Sequence, residues 1–144
     1  MSLPTPESLL PHRAPMLLLD RIVSLEENAI VAEKQFRADE FFVQGHYPEF
    51  PLVPGVITCE ALLQAGAALI AFKRKSLPSD GVPVVARLSQ AKFRKPLRPG
   101  DTISLSVKFV EEISTMYLLK GEALLDGKVA ASLEFTCTLA PRPS

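Results

Sequence analysis

The residues best suited to acid–base chemistry lie in one stretch of the chain, between Gln44 and Phe72. His46 is one of only two histidines, and Glu60 follows it fourteen positions later within an apolar segment. A neutral imidazole beside a carboxyl group in an apolar site can remove one proton and deliver another. We therefore interpret His46 and Glu60 as a catalytic acid–base pair. The alternative is that Glu60 forms a structural hydrogen bond or ion pair at a subunit contact.

The loop between these two residues is rich in proline. Each proline fixes φ and lacks a backbone donor, which predicts a rigid, extended loop that holds the His46 ring in place. The three prolines are Pro48, Pro51 and Pro54. Gly55 follows at the predicted start of a helix, where the first N–H groups lack intrahelical partners. The N–H groups of Gly55 and Val56 are therefore expected to polarise a carbonyl oxygen of a ligand.

The segment from Val56 to Phe72 predicts a buried helix. It is rich in Ala and Leu, and its only strongly polar residues, Glu60 and Gln64, share one face at i,i+4 spacing. A helix that is apolar nearly all round is buried, and its many small residues allow close approach, so we expect a sheet wrapped around it. We expect no membrane span, because the segment is shorter than the ~20 apolar residues that a bilayer needs and carries an acid.

Apolar alternation and the turn residues between segments predict six strands. These are Met16–Leu25, Ala29–Phe36, Val82–Phe93, Thr102–Glu111, Met116–Leu125 and Lys128–Leu139. The predicted class is α+β: two strands, the helix and an antiparallel meander. A short helical turn is expected at Asp39–Phe42, a connection at Leu77–Val82 and a frayed tail at 140–144.

Residues 1–15 are expected to form a short helix and a turn. The helix is predicted to be capped at Thr5 and to end at Leu10. His12 and Arg13 follow in a turn that we expect to pack this helix on the domain. The alternative is a role for that turn in contact with a ligand or a partner.

Composition limits the classes of function. The chain has 144 residues, 47% of them hydrophobic, which favours a single domain over residues 1–144. Its formal net charge is zero, so bulk charge indicates neither nucleic acid nor an anionic membrane as a partner. The start MSLPTPESLL has no signal-peptide pattern, so we expect a cytoplasmic protein. Cys59 and Cys137 are expected to be buried, reduced thiols, and we expect neither a metal site nor a cofactor.

Three stretches of the chain resemble one family. GHYPEFPLVPGVITCEALLQAGA, residues 45–67, resembles the signature of the FabZ-type 3-hydroxyacyl-[acyl-carrier-protein] dehydratases. LPHRAPMLLLDRI, residues 10–22, resembles the family's opening, and AKFRKPLRPGD, residues 91–101, resembles its later strand and turn. The chain departs from the family pattern at Tyr47, Glu49 and Leu63. A leucine at this last position is expected to narrow or redirect an acyl tunnel, which leaves the acyl chain length and the pathway open.

The resemblance implies a hot-dog fold and the reversible loss of water from a (3R)-3-hydroxyacyl thioester, which gives the trans-2-enoyl product. His46 would remove the proton α to the carbonyl, and Glu60 would protonate or orient the departing hydroxyl. The histidine and the glutamate of one site come from different subunits in this family. The chain would therefore act as a homodimer. Family members often assemble further into a trimer of dimers, and the sequence leaves open which of the two this chain forms.

The same resemblance implies an apolar tunnel for the acyl chain and an acidic carrier protein as partner, with CoA as the alternative thiol carrier. The residues expected to bind substrate are Gly55, Val56, Phe41, Phe42, Tyr47 and Gln64. Two basic clusters are candidates for carrier docking: Lys92, Arg94, Lys95 and Arg98 in one, and Lys73–Lys75 in the other. Two rival functions remain, a hot-dog acyl thioesterase and a non-catalytic acyl-binding subunit.

Overall fold

A computed structural model of the protein describes residues 2–74 and 81–141. Most of the predicted connection Leu77–Val82 lies outside the described residues, as does Lys75 of the second basic cluster. The expected frayed tail, residues 140–144, is described only as far as Pro141.

The long helix α2, Gly55–Arg74, forms the centre of the fold. It is 20 residues long, so the expectation that it is too short to cross a bilayer was wrong. By length and composition it could span a membrane, but 61% of its most apolar 18-residue stretch is buried inside the fold. Helix α2 packs against five of the six strands, as expected for a core helix.

Six antiparallel strands enclose this helix. They are β1 (Arg21–Leu25), β2 (Ala29–Gln35), β3 (Val82–Phe93), β4 (Thr102–Ile113), β5 (Met116–Leu125) and β6 (Lys128–Ala140). Their order in the sheet is β1-β2-β4-β5-β6-β3. The inward side chains of β4 and β6 alternate with outward ones, which confirms the predicted one-sided burial. One antiparallel sheet around one long helix is the predicted hot-dog architecture.

Close approach between helix and sheet requires a small residue in α2. A Cβ added at Gly66 would lie 2.6 Å from Cζ of the buried Phe135 ring, which is closer than any real contact. The side chains of Leu62, Leu69 and Ile70 on α2 are fully buried. The expectation that small residues allow the sheet to close on the helix is therefore confirmed.

The predicted meander holds only for β4, β5 and β6. Strand β3 pairs with β6 at the far edge of the sheet, while β4 pairs with β2. The connection between β3 and β4 is too long for a tight hairpin, and it crosses the start of α2, where the Val53 N–H donates to Leu97 O at 2.8 Å. This crossover places two strands that are consecutive in sequence in different parts of the sheet.

The N-terminal region also differs from the prediction. Helix α1 covers only Pro6–Leu9, and Thr5 caps it without a side-chain hydrogen bond. Strand β1 begins at Arg21 instead of Met16. The reason is that the side chain of Gln64 binds this segment: its Nε2 donates to Met16 O and its Oε1 accepts from the Leu18 N–H, both at 2.8 Å. Backbone groups bound to a side chain are not available to a neighbouring strand.

Both cysteines are free and buried, as predicted. Burial raises the pKa of the Cys59 thiol above its usual value and raises that of Cys137 to about 11. At neutral pH both thiols are therefore protonated and poor nucleophiles.

A buried ion pair fastens the turn that precedes His46 to the sheet. Lys34 on β2 is almost fully buried, and its Nζ donates to Glu40 Oε1 at 2.7 Å. The other carboxylate oxygen of Glu40 accepts from the Arg37 N–H at 2.8 Å. A third charged group, Asp20, lies 3.8 Å from Lys34 Nζ. Because both charges are desolvated, each depends on the other for its stability.

Replacing Lys34 with methionine should lower the free energy of unfolding by about 3–5 kcal/mol, because Glu40 would remain buried without its charge partner. The double variant Lys34→Met/Glu40→Gln removes both charges but keeps an acceptor for Arg37, so it should recover most of that loss. Urea unfolding followed by circular dichroism measures both values. Equal losses of unfolding free energy in the single and the double variant would show that the loss does not come from leaving the Glu40 charge unpaired.

Candidate active site

His46 lies in a loop of consecutive turns. Its own N–H donates to Val43 O at 3.1 Å, and the Phe50 N–H donates to Tyr47 O at 3.0 Å. Tyr47 has a positive φ of 54°, an uncommon conformation for a residue with a side chain. The prediction of an extended loop was therefore wrong for residues 46–50. Pro48 is the second residue of the Tyr47–Phe50 turn, a position where the fixed φ of proline favours a turn.

The ring of His46 is oriented by one hydrogen bond. Its Nδ1 lies 3.1 Å from Leu52 O, a carbonyl oxygen that can only accept. We therefore assign the proton of the neutral ring to Nδ1, which leaves the lone pair on Nε2. This is the tautomer that a general base requires, since the same bond fixes the ring and frees the second nitrogen.

A pocket of about 530 Å³ opens beside His46. Its wall includes Gly55 and Val56 at the start of α2, together with Tyr47, Phe93 and Leu97. At the helix start, the Ile57 N–H donates to Pro54 O at 2.9 Å. Within the described part of the chain, the N–H groups of Gly55 and Val56 have no such acceptor. The pocket thus brings His46 together with two N–H groups that have no backbone acceptor.

Gly55 lets the half-exposed ring of Phe93 lie against the start of α2. A Cβ at this position would lie 2.8 Å from Cε1 of Phe93. Phe93 also lines the pocket, so its ring and the start of α2 form neighbouring parts of the same wall.

Glu60 lies beside a second, smaller pocket of about 220 Å³. This pocket is also lined by Leu63, Val85 and Cys137. The Glu60 side chain is 31% exposed, so the carboxyl group reaches the surface of a single chain. Gln64 Nε2 donates to its Oε2 at 2.9 Å. Gln64, which was predicted to bind substrate, is itself buried, and its amide contacts Glu60 and the segment that precedes β1.

His12 also lies in this second pocket, with Nε2 3.9 Å from Glu60 Oε2. The sequence favoured a packing role for His12, so its place beside the predicted acid was missed. The signal available was the stretch at residues 10–22, which carries the resemblance to the family's opening.

The two predicted catalytic residues do not share a pocket within one chain. His46 lines the first pocket and Glu60 the second. Of the other predicted substrate-binding residues, Tyr47 joins His46, with its ring centroid 4.6 Å from that of the imidazole. Phe42 is buried in the core, and Phe41 is half exposed beside a third pocket with Lys34 and Glu40. A single chain therefore holds His46 and Glu60 in separate pockets.

The first basic cluster borders the histidine pocket. Arg94 and Lys95 both line it, in the connection that follows β3. In the second cluster, Lys73 has other partners: its Nζ lies 3.4 Å from Glu112 Oε2 and 4.5 Å from the centroid of the Phe109 ring.

Known proteins match this chain along most of its length. A family model described as the FabA-like domain matches residues 10–134. The 3-hydroxyacyl-[acyl-carrier-protein] dehydratase FabZ of Koribacter versatilis is 40% identical over 139 residues, which cover 96% of this chain and 88% of the relative. The protein of the same name from Syntrophotalea carbinolica is 38% identical over 135 residues, which cover 93% of this chain and 91% of the relative. The chain belongs to the FabZ family.

A solved structure supports the fold of this family member. The dehydratase heterocomplex ApeI:P from Xenorhabdus doucetiae matches with a TM-score of 0.85 over 98% of this chain and 94% of that one. The two sequences are only 16% identical, so the likeness shows the shared fold alone. The hot-dog architecture inferred from the sequence is confirmed.

Proposed function

We propose that this FabZ family member is a hydro-lyase that removes water from (3R)-3-hydroxyacyl thioesters and gives trans-2-enoyl thioesters in fatty acid biosynthesis. The substrate is carried by acyl carrier protein, and the enzyme acts as a cytoplasmic homodimer. The observation that carries this proposal is the His46 ring, which Leu52 holds with Nε2 free at a pocket that also contains the unused donors of Gly55 and Val56.

The first step is removal of the proton from the carbon α to the thioester carbonyl. Nε2 of His46 takes this proton, and the electron pair of the C–H bond moves toward the carbonyl oxygen. That oxygen gains negative charge, which the N–H groups of Gly55 and Val56 stabilise because they point from the positive end of α2.

The second step is loss of the hydroxyl group from the next carbon. Hydroxide is a poor leaving group, so the carboxyl group of Glu60 gives it a proton as the C–O bond breaks and the C=C bond forms. Water leaves, and the proton held on His46 returns to the carboxylate through solvent, which restores both groups.

The partner subunit's Glu60 completes each site. Support comes from β3, a 12-residue strand at the sheet edge with large apolar side chains exposed on it, Leu88 at 52% and Phe93 at 54%. A long apolar edge strand of this kind is a template for pairing with a second chain. Val84 and Val85 on β3 line the glutamate pocket, and Phe93 lines the histidine pocket. Pairing along β3 therefore brings the histidine pocket of one chain toward the glutamate pocket of the other. Further assembly into a trimer of dimers is compatible with this arrangement.

Arg94 and Lys95 are the docking site for the acidic carrier protein. They border the pocket that holds His46, so a carrier bound there would lie at the entrance through which its phosphopantetheine arm must pass. The alternative cluster is less suited, because Lys73 already contacts Glu112 and Phe109.

Incubation with a 3-hydroxyacyl thioester should produce enoyl absorbance without release of free thiol. His46→Ala and Glu60→Gln should each lower kcat by about 10²- to 10⁴-fold, because each removes one partner of the proton transfers. Unchanged circular dichroism and Tm are the controls for folding. Thiol release would identify a thioesterase, binding without turnover would identify an acyl-binding subunit, and a wild-type rate in either variant would remove that residue from the mechanism.

Mixing the two inactive variants tests whether a site is shared between subunits. A heterodimer of His46→Ala and Glu60→Gln chains has one site with both native residues and one site with neither. Random exchange of subunits should therefore restore about a quarter of the wild-type activity. No recovery after demonstrated subunit exchange would place both residues of a site in one chain.

Charge reversal at the pocket entrance tests carrier docking. Arg94→Glu/Lys95→Glu should raise KM for the carrier-linked substrate about tenfold or more, through lost electrostatic complementarity. KM for the neutral N-acetylcysteamine thioester should not change. Lys108→Glu/Lys120→Glu is the matched control, since these exposed residues of β4 and β5 lie outside the histidine pocket. An equal rise in KM with the control variant would show that the change in net charge causes the effect, and that carrier docking at Arg94 and Lys95 does not.

A further inference from the structure

We propose that His12 is a positioning residue for Glu60. Together with Gln64, it holds the Oε2 atom of the carboxyl group so that the acidic proton is carried on Oε1, the oxygen that faces the departing hydroxyl. The inference rests on the proposed dehydration and adds a third side chain to the machinery of the site.

The first observation is that two nitrogen atoms face the same carboxyl oxygen. Gln64 Nε2 donates to Glu60 Oε2 at 2.9 Å, and His12 Nε2 lies 3.9 Å from that atom. Over residues 2–74 and 81–141, Oε1 has no hydrogen-bond donor. The two oxygens of Glu60 are therefore in different surroundings, although the carboxyl group alone is symmetrical.

The second observation concerns the other nitrogen of the His12 ring. Nδ1 is buried and has no hydrogen-bond partner in the described part of the protein. An N–H at that position would be buried without an acceptor, which is costly. The tautomer that fits this pocket has its proton on Nε2, so the N–H of the ring is directed toward Glu60 Oε2.

The turn that carries His12 is itself fixed. The Arg13 guanidinium donates from Nη1 to His12 O at 2.6 Å and to Leu10 O at 2.8 Å. Its Nη2 donates to Glu7 O at 3.3 Å. These bonds hold the backbone of His12, while its side chain extends to the pocket of Glu60 on α2.

A separation of 3.9 Å is longer than a hydrogen bond. Catalytic hydrogen bonds are often long in empty sites and shorten when the substrate is bound. In the proposed arrangement Oε2 accepts from both His12 and Gln64. A proton on Oε2 would be repelled by these two N–H groups, so the acid form of Glu60 carries its proton on Oε1. The substrate then receives a proton from a defined position instead of from either of two oxygens.

His12→Gln and His12→Phe form the test pair. Glutamine keeps a donor near the position of Nε2, whereas phenylalanine keeps the ring without a nitrogen. His12→Phe should lower kcat about tenfold or more and leave KM nearly unchanged, because it removes the orientation of Glu60 and no contact with the substrate. The kcat of His12→Gln should stay within about threefold of the wild-type value, because the donor to Glu60 is kept. A wild-type kcat in His12→Phe, or an equal loss in both folded variants, would overturn the proposal.

The tautomer gives a second test that needs no active variant. Two-bond ¹H–¹⁵N correlation spectra of the ¹⁵N-labelled protein, with the His46 signals identified by their absence in His46→Ala, should show His12 protonated at Nε2 and bare at Nδ1. A proton on Nδ1 with a bare Nε2 would overturn the proposal even if His12→Phe fails to fold. A wild-type protein without dehydratase activity would instead contradict the proposed function, and the tautomer would still be measured.

Discussion

Burial of the apolar helix α2 within the antiparallel sheet is the interaction on which the other features of this protein depend. Leu62, Leu69 and Ile70 are fully buried, and each such side chain contributes about 1.5–3 kcal/mol when it leaves water. Closure of the sheet requires the absence of a side chain at Gly66. The enclosed helix places its free N–H groups at the histidine pocket and Glu60 further along, beside β3. In the proposed mechanism, one element of the fold thus supplies both the N–H donors and the acid.

The division of the site into two pockets follows from the direction of side chains on this helix. Gly55 and Val56 border one pocket, while Glu60 and Leu63 border another. A rigid buried helix cannot turn both of these faces to one pocket, so a single chain holds His46 and Glu60 apart. In the proposed dimer this separation allows each site to form between two chains, because β3 of each chain carries residues of both pockets to the shared edge. Catalysis and assembly then depend on the same surface.

Polar side chains inside the fold mainly hold other groups in place. The amide of Gln64 joins Glu60 to the segment before β1, and the ion pair of Lys34 and Glu40 fastens the turn before His46. Each of these groups would be costly to bury alone, and each is satisfied by a partner that belongs to another part of the chain. The precision of the site therefore comes from residues that do not touch the reacting atoms in the proposed mechanism.

The sequence by itself determined the helix, the strands from Val82 onward and the candidates His46, Glu60 and Gly55. These predictions follow from residue types and hydrophobic periodicity, and both can be read within a single short segment of the sequence. Only the tertiary structure decided that β3 lies at the far edge, that Met16–Asp20 is not a strand and that His12 lies beside Glu60. The contacts of Gln64 with Leu18 and Met16 join residues 46 and 48 positions apart. No local pattern encodes such contacts, because they form only when the packed helix and the sheet bring distant backbone groups together.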